Sequence, residues 1–173
     1  MPSTYTLISS NVLSSSAASV TFSSIPSTYT DLVIRASIRT DDAGVQAAQF
    51  RIRLNGDTTT NYSATRVFGN SGTASSSRST SGTLLGAYDA NGAGSASNTF
   101  SSAEVYIPNY AGTANKPISN FGVSEDNNAN GVYVGASAGL YRGASAITSI
   151  ECYVASINFV SGSSFYLYGI KNS

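Results

Sequence analysis

Histidine and tryptophan are absent from this chain, cysteine and methionine occur once each, and only 10% of its 173 residues are charged. Each shortage excludes something. Without histidine there is no Ser-His-Asp or Cys-His catalysis and no histidine-ligated metal. The single cysteine, Cys152, cannot form an internal disulfide, so the fold does not depend on an oxidising compartment. Nine basic residues balance nine acidic ones. Phosphate binding needs clustered Lys and Arg, so nucleic acid is not an expected partner. No run approaches the roughly 18 apolar residues of a membrane helix. The opening MPSTYTLISS has neither the basic n-region nor the apolar h-region of a secretory signal.

What is present is a core and a hydroxyl-rich surface. Apolar residues make up 41% of the chain, and disorder normally combines low hydrophobicity with high net charge. A folded domain spanning residues 1–173 is expected, with Ser, Thr, Asn and Gly supplying the polar exterior.

The apolar pattern has period two. Leu32, Ile34, Ala36 and Ile38 alternate with Val33, Arg35, Ser37 and Arg39; Phe50, Ile52 and Leu54 alternate with Arg51 and Arg53. Both read as strands with one buried face. Asn55-Gly56-Asp57 then supplies a tight turn. Further strands are expected at 4–9, 19–22, 102–107, 118–124, 132–136, 147–154 and 164–170, with Pro26, Pro108 and Pro117 near strand ends. No segment carries capped helical spacing, and Ala43–Ala48 is too short to hold a helix alone. The fold expected is an all-β, antiparallel two-sheet sandwich of jelly-roll type with little or no helix. From Gly69 to Asn98 the chain is mostly Ser, Gly, Thr, Ala and Asn. That stretch is expected to be loop, with one short strand at 83–88.

Chemistry is scarce. A nucleophilic serine needs a neighbouring base, and the only lysines, Lys116 and Lys171, read as solvated amines. Asp41-Asp42 and Glu125-Asp126 sit in turn-like sequence, where carboxylates bond local backbone. Glu104 and Glu151 lie in strands, but the alternation of Glu104 with Ala103 and Val105 turns it outward. Asp126 to Gly131 matches half a calcium loop, yet Ser137 stands where a bidentate Glu is needed. No catalytic residue, metal or cofactor is expected.

Two groups remain as a candidate contact surface. Arg35, Arg39, Arg51 and Arg53 occupy outward positions of two successive strands; if those strands pair, the four guanidinium groups share one face. They would then suit an acidic partner, or they serve local carboxylates such as Asp31, Glu104 and Glu151. Eleven tyrosines, with Tyr106, Tyr110, Tyr133 and Tyr141 among those gathered in the C-terminal half, suit a half-buried interface.

The segments YTLISSNVLSSSAASVTFSSIPSTYTDLVIRASIRTDDA, FSSAEVYIPNYAGTANKPISNFGVSEDN and FVSGSSFYLYGIKNS resemble a type of small β-domain of tailed bacteriophages, notably those of aquatic bacteria including cyanobacteria. The resemblance covers both ends and the middle and is loosest over Gly69–Asn98. It implies a virion protein, made in the bacterial cytoplasm, with no catalytic residues to carry over. Proteins of this kind are often trimers of jelly rolls. The pattern of strands leaves no evident segment for a fibre shaft or anchor, so the expected role is a homotrimeric capsid decoration (cement) protein bound to the major capsid protein. The alternative is a tail-fibre module that recognises a host surface glycan.

Overall fold

The structure is a computed structural model and describes residues 4–44, 47–127 and 133–171. Among them there are twelve β-strands and no helix. In chain order they are β1 (Tyr5–Val12), β2 (Ser19–Phe22), β3 (Asp31–Ile38), β4 (Ala47–Leu54), β5 (Tyr62–Asn70), β6 (Thr73–Gly82), β7 (Leu85–Asn91), β8 (Ser101–Ile107), β9 (Lys116–Ser124), β10 (Tyr133–Tyr141), β11 (Ile150–Tyr153) and β12 (Ser164–Ile170).

They form two antiparallel sheets. The larger runs β1-β12-β3-β8-β9-β10-β5-β6 and the smaller β2-β11-β4-β7. The chain changes sheet at every connection from β1 to β5, at β6–β7 and β7–β8, and again at β10–β11 and β11–β12. Exceptions are the β5–β6 hairpin and the β8–β9–β10 run, which stay in the larger sheet. Such crossings stack the sheets into a sandwich and bury one face of each.

The alternation in the sequence predicts which face. Leu32, Ile34, Ala36 and Ile38 of β3 point inward with Val105 and Ile107 of β8 and Phe165 and Leu167 of β12. Phe50, Ile52 and Leu54 of β4 meet them from the smaller sheet with Ile150 and Cys152 of β11. Phe159, between β11 and β12, joins the layers. It is fully buried, its ring lies 4.9 Å from that of Phe165 and 6.4 Å from that of Phe50, and its backbone exchanges two hydrogen bonds with Ala17. Packing is tight where β7 crosses β10: a Cβ added at Gly139 would lie 2.8 Å from a methyl of Leu85. The Asn55-Gly56 turn behaves as its residues require. Both have positive φ, 51° and 65°, and Asp57 N–H donates to Leu54 O at 2.9 Å.

The stretch 69–98 departs from the expectation of a loop. It contains all of β6, almost all of it exposed, and it completes β5, a strand the alternation did not reveal; β7, at Leu85–Asn91, overlaps the short strand expected at 83–88 and runs beyond it. β6 is an outer edge strand with the sequence TASSSRSTSG. Because it buries neither face, nothing imposed a hydrophobic period on it. Lys116 also differs. Far from being solvated, it is 1% exposed, and its Nζ donates to Gly143 O at 3.0 Å and Ser145 O at 2.8 Å. Burial lowers the pKa of its ammonium group.

Candidate functional site

The larger sheet presents a broad outer face. Residues directly opposite in neighbouring strands share a face, so the register defines rows across it. One row runs Tyr166, Arg35, Glu104, Phe121, Ala136, Val67. A parallel row runs Leu7, Tyr168, Val33, Tyr106, Ser119, Ala138. Val33 is only 2% exposed although it faces outward; Tyr168 and Tyr106 flank it in register.

The large exposed apolar residues among those described are Tyr5, Leu7, Val12, Val67, Phe121 and Val134. By register all six lie on this outer face. Three open depressions of about 600, 620 and 410 Å³ meet at Phe121. In the first two, Ala136, Ala138 and Gly69 offer little or no side chain to fill the space. On this face Arg35 and Glu104 pair at 2.6 Å, and Arg78 of β6, opposite Thr65 in register, stands exposed beside β5. Arg35 and Glu104 are both exposed, so their pair adds about 0–1 kcal/mol.

The structure divides the arginines that the sequence grouped. β3 and β4 do not pair; they belong to different sheets. Of the four, Arg35 alone lies on the outer face of the larger sheet. Arg39 follows β3 and turns back onto the segment before β8. Its guanidinium donates to Ala96 O (2.8 Å), Thr99 O (2.9 Å) and Ser95 O (3.2 Å), which pins that loop. Arg51 and Arg53 face outward from the smaller sheet. Arg51 donates to Gln49 at 2.9 Å, while Arg53 pairs with Glu151 at 2.7 Å and lies over the ring of Tyr153. There is thus no common arginine face. Glu104 and Glu151 are separated in the same way and form no carboxylate pair.

The tyrosines divide too. Tyr106 lies on the outer face, and its hydroxyl donates to Asp31 at 2.9 Å, an interaction that raises its pKa. Tyr110 is fully buried and donates to Pro26 O. Tyr141, 4% exposed, stacks on Tyr62 at 4.9 Å and donates to Asp57 at 3.1 Å. Burial and Asp57 push its pKa up to about 12. Tyr110 and Tyr141 are core and do not form a contact surface. Tyr133 is half-buried; it accepts a hydrogen bond from Asn70 and packs near Phe68. A large apolar body with one polar tip satisfies a sandwich interior as well as an interface, so tyrosine count alone could not separate the two.

Phe121, Val67 and Val134 were missed. Phe121 had a signal: in ISNFGVS it falls on the face opposite Ile118, so burying Ile118 exposes it. The calcium-like stretch lies partly outside the described residues. Within them Asp126 accepts a hydrogen bond from Ala96 N–H at 3.0 Å, Glu125 accepts from Asn127 N–H at 2.7 Å, and no cluster of metal-ligating side chains occurs.

No protein-family model matches the sequence, and no curated protein does. Among solved structures, the chain has a faint likeness to the catalytic domain of an endo-1,3-β-glucanase (laminarinase) from Thermotoga petrophila RKU-1. The identity is 12% and the TM-score 0.22, over 84% of this chain and 65% of that one.

Proposed function

We propose that this chain is a non-enzymatic structural protein of a phage particle, a capsid decoration protein that braces the head shell as a homotrimer. The observation that carries this reading is the outer face of the larger sheet. Six large apolar residues lie on it, Tyr5, Leu7 and Val12 along the edge strand β1 and Val67, Phe121 and Val134 across β5, β9 and β10, and exposed apolar residues grouped in this way mark surfaces that meet other proteins. Of the depressions around Phe121, the one bordered by Val67, Gly69, Val134 and Ala136 is chiefly apolar, and the two adjoining ones add Thr65, Tyr106 and Asn120, and Arg35, Glu104 and Tyr166. The polar groups of those two depressions are what the tail-fibre alternative, recognition of a host surface glycan, would use.

Topology is consistent with this. We read β1-β12-β3-β8 and β2-β11-β4-β7 as the two four-stranded sheets of a jelly roll, an architecture that recurs in viral capsids. The β5–β6 hairpin and the β9–β10 pair then widen one sheet from four strands to eight. The likeness of the sequence to phage β-domains adds the particle.

Particles lacking this protein provide the test. They should assemble but release DNA at a lower temperature, and added protein should restore heat resistance. Normal heat resistance with lost adsorption to host cells would transfer the role to host binding.

A further inference from the structure

One end of the larger sheet is formed by β5 and, outermost, β6. β6 is ten residues long and exposed along almost its whole length. Among the described residues it pairs with β5 alone, in a register unbroken from Thr73 to Ser79. Its other edge therefore presents a row of backbone N–H and C=O groups with no strand beside them, a template on which another chain adds a strand. Proline and lysine, which often blunt such edges, are absent from TASSSRSTSG, and its one charged residue is Arg78.

The chain is neutral as a whole, but its charge is unevenly spread. Strands β9, β10, β5 and β6 contain no Asp or Glu, and neither does the chain from Thr58 to Tyr88. The cations of these four strands are Lys116, Arg66 and Arg78. Lys116 is buried on two backbone carbonyls. Arg78 is exposed and Arg66 half-buried, and the ion pairs among the described residues use Arg35 and Arg53 instead. Register sets the two apart: Arg78 stands opposite Thr65 and Arg66 opposite Ser77, so they occupy opposite faces of the sheet. This end of the sheet thus holds a guanidinium group without a carboxylate on either side of an open edge.

We propose that β6 takes up an extended, acidic segment of another protein as a ninth strand of the larger sheet. Main-chain hydrogen bonds along the edge hold the segment, and its carboxylates pair with Arg78 on the outer face and Arg66 on the inner one. Arg66 lies two strand spacings from the added strand, about 10 Å, a gap that an arginine and a glutamate side chain close between them. The other residues of β6 are Ser, Thr, Ala and Gly. The contact therefore buries little apolar area, and its selectivity is electrostatic. Nothing in it depends on a role in a particle.

The same features disfavour other occupants. A second β6, paired antiparallel with its outer face level, brings Arg78 beside Arg78, and like charges across a strand pair repel. β1, the opposite edge of the sheet, reads YTLISSNV and has no carboxylate to offer. An anionic sugar would satisfy the arginines but has no repeating amide to match the edge.

Synthetic decapeptides of alternating Thr-Glu, Pro-Glu and Thr-Lys probe the edge at low ionic strength. Thr-Glu and Pro-Glu carry the same charge, but Pro-Glu lacks alternate N–H groups and cannot pair as a strand. Calorimetric titration of the full chain should show Thr-Glu binding about tenfold more tightly than either of the others. Hydrogen exchange should slow across 73–82 when it binds. Arg78→Glu should weaken binding about fivefold with unchanged circular dichroism, and Arg78→Lys, which keeps the charge, should retain most of it. Five results would overturn the proposal. They are no binding of Thr-Glu up to about 1 mM, equal binding of Thr-Lys, equal binding of Pro-Glu, indifference to Arg78→Glu, and protection that appears on β1 and not on β6. Equal binding of Pro-Glu would leave an anion site with no added strand. Protection of 73–82 that rises with protein concentration in the absence of peptide would assign the edge to a second copy and also overturn it.

Discussion

Replacing Phe159 by alanine tests the account of what joins the two sheets. The side chain is fully buried between Phe50 of the smaller sheet and Phe165 of the larger one. Its backbone hydrogen bonds to Ala17 survive the substitution, so the loss is one of packing. Truncating a buried phenylalanine costs about 3–5 kcal/mol, because a cavity adds to the lost transfer energy. A domain of this size loses about 2–4 °C of melting temperature per kcal/mol, so a fall of roughly 6–20 °C is expected, a large share of a typical ~5–15 kcal/mol stability. Differential scanning calorimetry reads the shift, and urea unfolding should show a lower midpoint with an unchanged slope. Phe121→Ala is the matched control. This ring is 54% exposed, so in dilute, dissociated protein its removal should change stability by no more than about 0.5 kcal/mol. A loss below ~1 kcal/mol at Phe159, or equal losses at both positions, would refute this assignment of inside and outside.

Two further expectations concern titration and reactivity. Hydrogen bonds from Thr59 first, then from Asn61, hold the Asp57 carboxyl at about 2, below its ordinary 3.8. A carboxyl depressed on folding adds stability above its unfolded pKa and loses it as pH falls through the folded value. The melting-temperature gap between the unmodified chain and Asp57→Asn should therefore be full above pH ~5 and close towards pH ~2. At this partly exposed position the effect is about 1 kcal/mol, and a gap independent of pH would contradict it. Cys152 is fully buried, and burial pushes its thiol up to about 12. A thiol reagent at pH 8 should label it only after denaturation, and rapid labelling of native protein would show that β11 opens easily.

The sequence by itself determined the class of fold and most of the core. In β3, β4, β8 and β12, polar and apolar residues alternate because one face of each strand is buried, and that burial is what writes period two into a chain. Asn55-Gly56 marked its turn because few residue pairs tolerate two successive positive φ values. The same reasoning failed at β6, which buries nothing, and at Tyr110 and Tyr141, whose burial depends on which loops cover them. Only the tertiary structure decided how strands combine. β3 and β4 follow one another in the chain but enter different sheets, and this sends Arg35 and Arg53 to opposite sides of the molecule. Conversely, β1, β9 and β5 lie far apart in sequence, and hydrogen-bonded register places Leu7, Phe121 and Val67 on one face. Alternation sets a side chain to one of two sides of its own strand; which side of the molecule that becomes is settled by long-range pairing, and a period of two carries no record of it.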